Sequence, residues 1–216
     1  RGIEVNKNLT VYTTLPGENE DVNDYANILE TLIKNYSLVL LDCDFETNYG
    51  YFKEAQEIYL VQSLDVLTIQ PLTAFLRDLK AKNVLNPEKI RVALNKIVKV
   101  RSITDKIIIG GMAYYNDPAM SFMTELFNKD AVPYCTIPFE EQAYSRYLEG
   151  LINCKISLSG YSKNFMQAFE KLANMVYPLI GNGGNSNYGG YNNYASNQNS
   201  NFSSGMNDIL NKMKKY

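Results

Sequence analysis

This chain predicts an α/β fold built on a mostly parallel, doubly wound sheet. Three observations carry that reading. First, Leu38-Val39-Leu40-Leu41 runs without a polar break into Asp42, Cys43 and Asp44. An unbroken apolar run suits a strand buried on both faces, as parallel strands are when helices cover them. Second, short β-type runs alternate along the chain with segments whose apolar residues recur at helical spacing, the pattern of β-α-β units. Third, the acids follow directly on the apolar run. They would stand past the carboxyl end of a strand, where open α/β sheets bind ligands. An acid there can hold a hydrated Mg²⁺ beside a nucleotide phosphate. Equally, Asp42 and Asp44 can simply mark the turn that leaves the strand.

Taken in order, Asn8 to Thr13 alternates and is rich in β-branched residues, which predicts a strand ended by Pro16-Gly17. Glu18 to Asn35 predicts a helix, with Val22, Tyr25, Ile28, Leu29, Leu32 and Ile33 at helical spacing and acids at its start. The strand Leu38 to Cys43 follows. Tyr49 to Leu64 reads as helix and Asp65 to Gln70 as strand. Pro71 then opens a helix over Leu72 to Lys82, at a position that tolerates proline. Lys89 to Asn95 is a strand. Ile107-Ile108-Ile109 suits strand or helix equally and is broken by Gly110-Gly111. Asp117 to Phe127 reads as helix, Val132 to Ile137 as strand, and Phe139 to Leu148 as a short helix ending at Gly150. Ser162 to Val176 is a long amphipathic helix with Phe165, Met166, Phe169, Leu172, Ala173 and Val176 on one face.

Composition narrows the chemistry. The 216 residues suffice for one ordinary domain with appendages, and the net charge of −2 does not call for nucleic acid. There is no histidine, which removes Ser-His-Asp and Cys-His nucleophiles and histidine metal ligands. Cys43, Cys135 and Cys154 form no close pair, a usage that fits a reducing cytosol. Cys43 and Cys135 lie in apolar runs and are expected as buried, inert thiols. Composition then changes at Gly181. Residues 181–205 carry no charge and are mostly Asn, Ser, Gly and Tyr, which predicts a disordered linker. Residues 206–216 form a basic peptide with Met206, Ile209, Leu210 and Met213 on one helical face, suited to an anionic membrane or a partner groove. The expected organisation is a domain over 1–180, a linker over 181–205 and an amphipathic peptide over 206–216.

The order of these elements is specific by Pro138. Tyr36-Ser37-Leu38-Val39-Leu40-Leu41-Asp42, Asp65-Val66-Leu67-Thr68-Ile69-Gln70-Pro71, Ile90-Arg91-Val92-Ala93-Leu94-Asn95-Lys96 and Val132-Pro133-Tyr134-Cys135-Thr136-Ile137-Pro138-Phe139-Glu140 follow one another. Over roughly Asn8 to Tyr177 this resembles the latter two thirds of the ParA/MinD family of deviant-Walker P-loop ATPases, in particular the pilus-assembly and positioning members of the TadZ/CpaE type. The resemblance implies that Asp42 is the Walker B acid, orienting Mg²⁺ through water, with Asp44 beside it in the catalytic run. It implies that Asn95 and Lys96 lie by the base of ATP, where an amide can both donate and accept. Pro138, Phe139 and Glu140 would form the loop that passes the adenine. Asn95-Lys96 is also an ordinary turn at a strand end.

Two departures stand out. The run after Asp42 is Cys43-Asp44-Phe45-Glu46, where the family carries a small residue or Pro and then Gly. No Gly-rich phosphate loop with its lysines occurs in these residues, so this stretch alone is not expected to hydrolyse ATP. The expectation is therefore the C-terminal part of a longer ATPase of P-loop type, its sheet incomplete on the N-terminal side. Such a protein would dimerise with ATP and position a membrane-associated pilus, secretion or conjugation machine. It would be cytoplasmic or peripheral to the inner face of the membrane, through 206–216, with no specific nucleic acid partner. The alternative is a non-catalytic localisation adaptor on the same fold.

Overall fold

The computed structural model describes residues 2–13, 24–64, 66–109, 131–155, 157 and 159–176. The chain divides into two compact units, Arg1–Glu54 and Ala55–Tyr216, a boundary that falls inside the domain expected over 1–180.

The first unit opens with an antiparallel hairpin of β1 (Gly2–Asn6) and β2 (Leu9–Tyr12). Lys7-Asn8 turns it, and the Asn6 side chain accepts from the Asn8 amide at 2.9 Å. The expected strand over Asn8–Thr13 is present in β2; its partner β1 is an addition. Helix α1 (Tyr25–Asn35) follows, with Lys34 in its last turn where the dipole favours a cation. Helix α2 (Tyr49–Glu54) closes the unit. A side chain at Gly50 would collide with the Tyr25 ring, so glycine lets the two helices approach. The described core here is thin: Leu29 and Phe52 are buried, while Ile3, Val5, Val11, Ile33, Leu40 and Phe45 are exposed.

The expected central strand over Leu38–Cys43 does not form. These residues pair with no strand, and Leu40 is 75% exposed. A run of apolar residues forms a buried strand only where neighbours supply ladder bonds and covering faces; among the described residues this run has no strand neighbour and only partial cover, Leu38 and Val39 being half-buried. Cys43 is accordingly exposed, against the expectation of a buried thiol.

The second unit holds a parallel sheet in the order β3-β4-β5, formed by β3 (Ile58–Gln62), β4 (Ile90–Ile97) and β5 (Tyr134–Pro138). Two expectations shift in register. The helix read over Tyr49–Leu64 is α2 followed by β3, because Ile58, Leu60 and Gln62 alternate inward at period two. The strand read over Asp65–Gln70 gives way to helix: α3 (Val66–Ala81) begins at Val66 and carries Pro71 inside rather than at its first turn. Proline within a helix is costly, yet Leu76 and Leu79 are fully buried, and that packing outweighs the local penalty. Ile107-Ile108-Ile109 is resolved as helix, in α4 (Asp105–Ile109). The helix read over Asp117–Phe127 lies outside the described residues, as do 181–205 and 206–216. Helix α5 (Glu141–Ile152) runs through Gly150, where helix ended in the expectation. Glycine is needed there for another reason: a Cβ would meet the Lys155 carbonyl oxygen at 2.8 Å as the chain turns back. Helix α6 (Lys163–Val176) stands where expected.

Between β3 and β4 the right-handed rule for parallel crossovers makes α3 a right-handed connection. Thr136 of β5 donates to Asp105 at the start of α4 at 2.9 Å. Helix α6 packs against β5, and its Lys171 is the charge near Cys135, whose thiol burial pushes up. Strand β4 is central and buried over Ile90–Leu94. At its amino end Arg91 and Glu57 form a buried ion pair at 2.9 Å, with Tyr59 donating to the other Glu57 oxygen at 2.8 Å. Burial, and then that bond, push the Tyr59 hydroxyl pKa well up.

Candidate functional site

The carboxyl rim of the parallel sheet gathers one group of the expected site residues. Strand β4 pairs Leu94 with Thr136 and then Ile97 with Pro138, so Asn95 and Lys96 together face a single residue of β5. That is a β-bulge, a device that re-aims side chains at strand ends. Its geometry is visible at Lys96, whose φ of 55° lies in the left-handed region that side chains rarely adopt. The Asn95 side-chain oxygen accepts from the Lys96 amide at 2.9 Å and stabilises the bend. The Asn95 side chain is half-exposed, and its oxygen is used in the bend.

The bulge also sets the next loop. The Phe139 amide donates to the Ile97 carbonyl at 2.9 Å, which ties the loop after β5 to the end of β4. Phe139 is exposed. Its ring centroid lies 6.3 Å from that of Tyr144, and the Lys96 ammonium sits 5.6 Å from the Tyr144 centroid. Glu140 is the residue before α5; its carboxylate accepts from Ser162 at 2.7 Å and from Asn164 at 3.5 Å. Ser162 Oγ in turn accepts from the Phe165 amide at 3.0 Å. Glu140 thus links the start of α5 to the start of α6, and its carboxylate is committed to that link. Asn95, Lys96, Pro138, Phe139 and Glu140 are therefore neighbours at one rim. What this rim offers is a half-exposed side-chain amide, a cation and an exposed aromatic ring.

Sequence reasoning missed two residues here. Tyr144 carries the stacking contacts with Phe139 and Lys96. Gln62 closes β3 in register with Leu94, is 1% exposed, and neither its amide nitrogen nor its oxygen has a hydrogen-bond partner. Reading Ile58-Tyr59-Leu60-Val61-Gln62 as a strand would have placed a polar residue at a carboxyl end, the one signal that points to it.

The acids lie in the other unit. Asp42 is exposed, in a stretch without strand pairing, which corrects its expected place on a strand's rim. Asp44 forms a local turn. Its carboxylate accepts from the Thr47 hydroxyl at 2.8 Å and the Glu46 amide at 3.0 Å, while Thr47 Oγ1 accepts from the Asp44 amide at 3.0 Å. The Thr47 bond, then the Glu46 bond, hold the Asp44 carboxyl below the usual carboxylate range. This is the turn-forming alternative for Asp44, realised over Asp44–Thr47 just before α2. Among the described residues no three Cys, Asp or Glu side chains group as a metal site.

Compared with protein-family models, curated proteins and solved structures, the chain matches none.

Proposed function

We propose that the carboxyl rim of β3-β4-β5 is a nucleotide-base site, in a protein of the ParA/MinD-like positioning type. The observation that supports this most is the bulge at Asn95-Lys96, bonded through Ile97 to Phe139. It joins two sequence-distant segments into one surface with a half-exposed side-chain amide and an exposed ring. An adenine offers an edge that both donates and accepts and a face that stacks, and this surface suits both. In this reading Asn95 reads the base edge, Phe139 stacks, Lys96 supplies positive charge and Pro138 fixes the loop. Glu140 holds α5 and α6 in place rather than touching ligand.

The cation half of the reading is different. Asp42 is exposed and no acidic cluster accompanies it, so the described residues do not build a Mg²⁺ site and no step is derived through one. ATP-dependent dimerisation, positioning of a membrane-associated pilus, secretion or conjugation machine, and membrane contact through 206–216 remain part of the proposal. The first two rest on the resemblance; the last rests on the apolar spacing and the lysines of 206–216. The second reading, a non-catalytic localisation adaptor on the same fold, is favoured by Asp44, whose carboxylate is occupied in a turn.

The test is titration of the chain with a fluorescent ATP analogue, with and without Mg²⁺. Loss of one hydrogen bond to the base is worth about 1 kcal/mol, so Asn95→Ala is expected to weaken binding about fivefold to tenfold. Phe139→Ala is expected to do at least as much. Asp42→Ala should leave Mg²⁺-free binding unchanged. If the parent chain does not bind and the variants behave like it, the adaptor reading takes its place.

A further inference from the structure

Helix α5 presents an apolar stripe to solvent. Tyr144, Tyr147, Leu148, Leu151 and Ile152 recur at i, i+3, i+4, i+7 and i+8, the spacing of one helical face. All are exposed, Leu151 at 58% and Ile152 at 81%, while Ala143 is the residue that α5 buries. Ordinary amphipathic helices turn such a stripe inward; this one buries its small residue and shows the large ones. On a helical projection Glu141 and Glu149 run along the solvent-side flank of the stripe. The cation of the helix, Arg146, is drawn away: its guanidinium lies against Gly160, where a Cβ would stand 2.5 Å from it.

The chain itself carries a matching segment. Met206, Ile209, Leu210 and Met213 also recur at i, i+3, i+4 and i+7, the same two turns as Tyr144, Tyr147, Leu148 and Leu151. Lys212 and Lys214 flank that apolar face on either side. Residues 140–152 hold three Glu against one Arg, and residues 206–216 three Lys against one Asp, so the charges are opposite. The span between α6 and Met206, residues 177–205, is rich in Gly, Ser and Asn. A flexible chain of that length reaches about 30 Å root-mean-square, enough to return to the same molecule.

We propose that residues 206–216 dock in cis on the Tyr144–Ile152 stripe of α5, apolar face to apolar face, with their lysines beside Glu141 and Glu149. This rests on the exposed stripe and the charge match, and is independent of whether the rim binds a nucleotide.

The test is hydrogen exchange of the full chain, read at the amides of 144–152. At an effective tether concentration on the order of 1 mM, an intrinsic Kd of about 0.1 mM slows exchange about tenfold. Leu210→Asp with Met213→Asp should remove that protection. Lys212→Glu with Lys214→Glu should weaken it, and adding Glu141→Lys with Glu149→Lys should restore it. Protection should not depend on protein concentration. Three outcomes overturn the proposal. The first is α5 exchange indifferent to the tail substitutions. The second is protection that grows with concentration while the chain sediments as a dimer, which makes a second copy the occupant. The third is a tail that binds vesicles of phosphatidylcholine and phosphatidylglycerol while α5 exchange ignores both tail and vesicle.

Discussion

Leu38–Leu41 and Ile90–Leu94 are near twins as sequences, and opposites as structure. Each is a run rich in branched aliphatic residues, the second interrupted by Arg91, that leads to polar residues, Asp42 and Asp44 in one and Asn95-Lys96 in the other. Strand β4 has a parallel neighbour on each side and is buried throughout that run; Leu38–Leu41 has no strand neighbour, and Leu40 stands 75% exposed. The difference teaches that an apolar run specifies only a demand for burial. Whether the demand is met depends on ladder partners and covering helices that come from elsewhere in the sequence. The same contrast separates the two polar pairs. Asn95-Lys96 is shaped by a bulge against β5, while Asp42 and Asp44 answer to local turn bonds.

The sharpest way to break the comparison is to truncate one leucine in each run. Leu94→Ala is expected to cost about 2–5 kcal/mol, as for a fully buried core leucine. Leu40→Ala is expected to stay within about 0.5 kcal/mol, as for a surface position. Urea midpoints of the two variants measure both, and equal losses would mean that Leu40 is packed in solution. A smaller effect probes the strand beside β4. The Gln62 amide is buried and unpartnered, so Gln62→Met, close in shape and apolar, is expected to stabilise the chain by about 1 kcal/mol in the same assay. A loss of similar size would show that the amide has a partner in solution. The smallest effect concerns Asp44. Its carboxyl pKa is depressed in the folded state, so its contribution is present above the unfolded value near 3.9 and fades as pH falls through the folded one. A carbon-13 titration should place its midpoint below that of an ordinary aspartate, and Thr47→Ala should raise it. An unmoved midpoint would remove the Thr47 hydroxyl as the main cause.

Legibility followed range. Strands β4 and β5 and helix α6 were readable because their patterns agree with their burial: Ile90–Leu94 is apolar except for Arg91, and α6 keeps one face. Ile58–Gln62 was hidden inside a helical reading because Phe52, Ala55, Ile58 and Tyr59 satisfy helical spacing by chance. A five-residue strand offers few positions with which to contradict a longer period. Pro71 misplaced the start of α3, since proline is expected at a first turn and here sits deeper, held by Leu76 and Leu79. Of the site, Asn95 and Pro138-Phe139-Glu140 were singled out in the sequence. Tyr144 and Gln62 were not, because their importance lies in which strand ends stand side by side.

The sequence by itself determined the local grammar of this protein: where β4, β5 and α6 run, the turn at Asp44, and two apolar stripes of equal length at 144–151 and 206–213. Only the tertiary structure decided which apolar runs are covered. It gave β4 both its neighbours and left Leu40, Leu41 and the α5 stripe facing water. The physical reason is that spacing along the chain fixes which side chains share a face, but burial is a property of two surfaces, and the second surface is supplied from a distance.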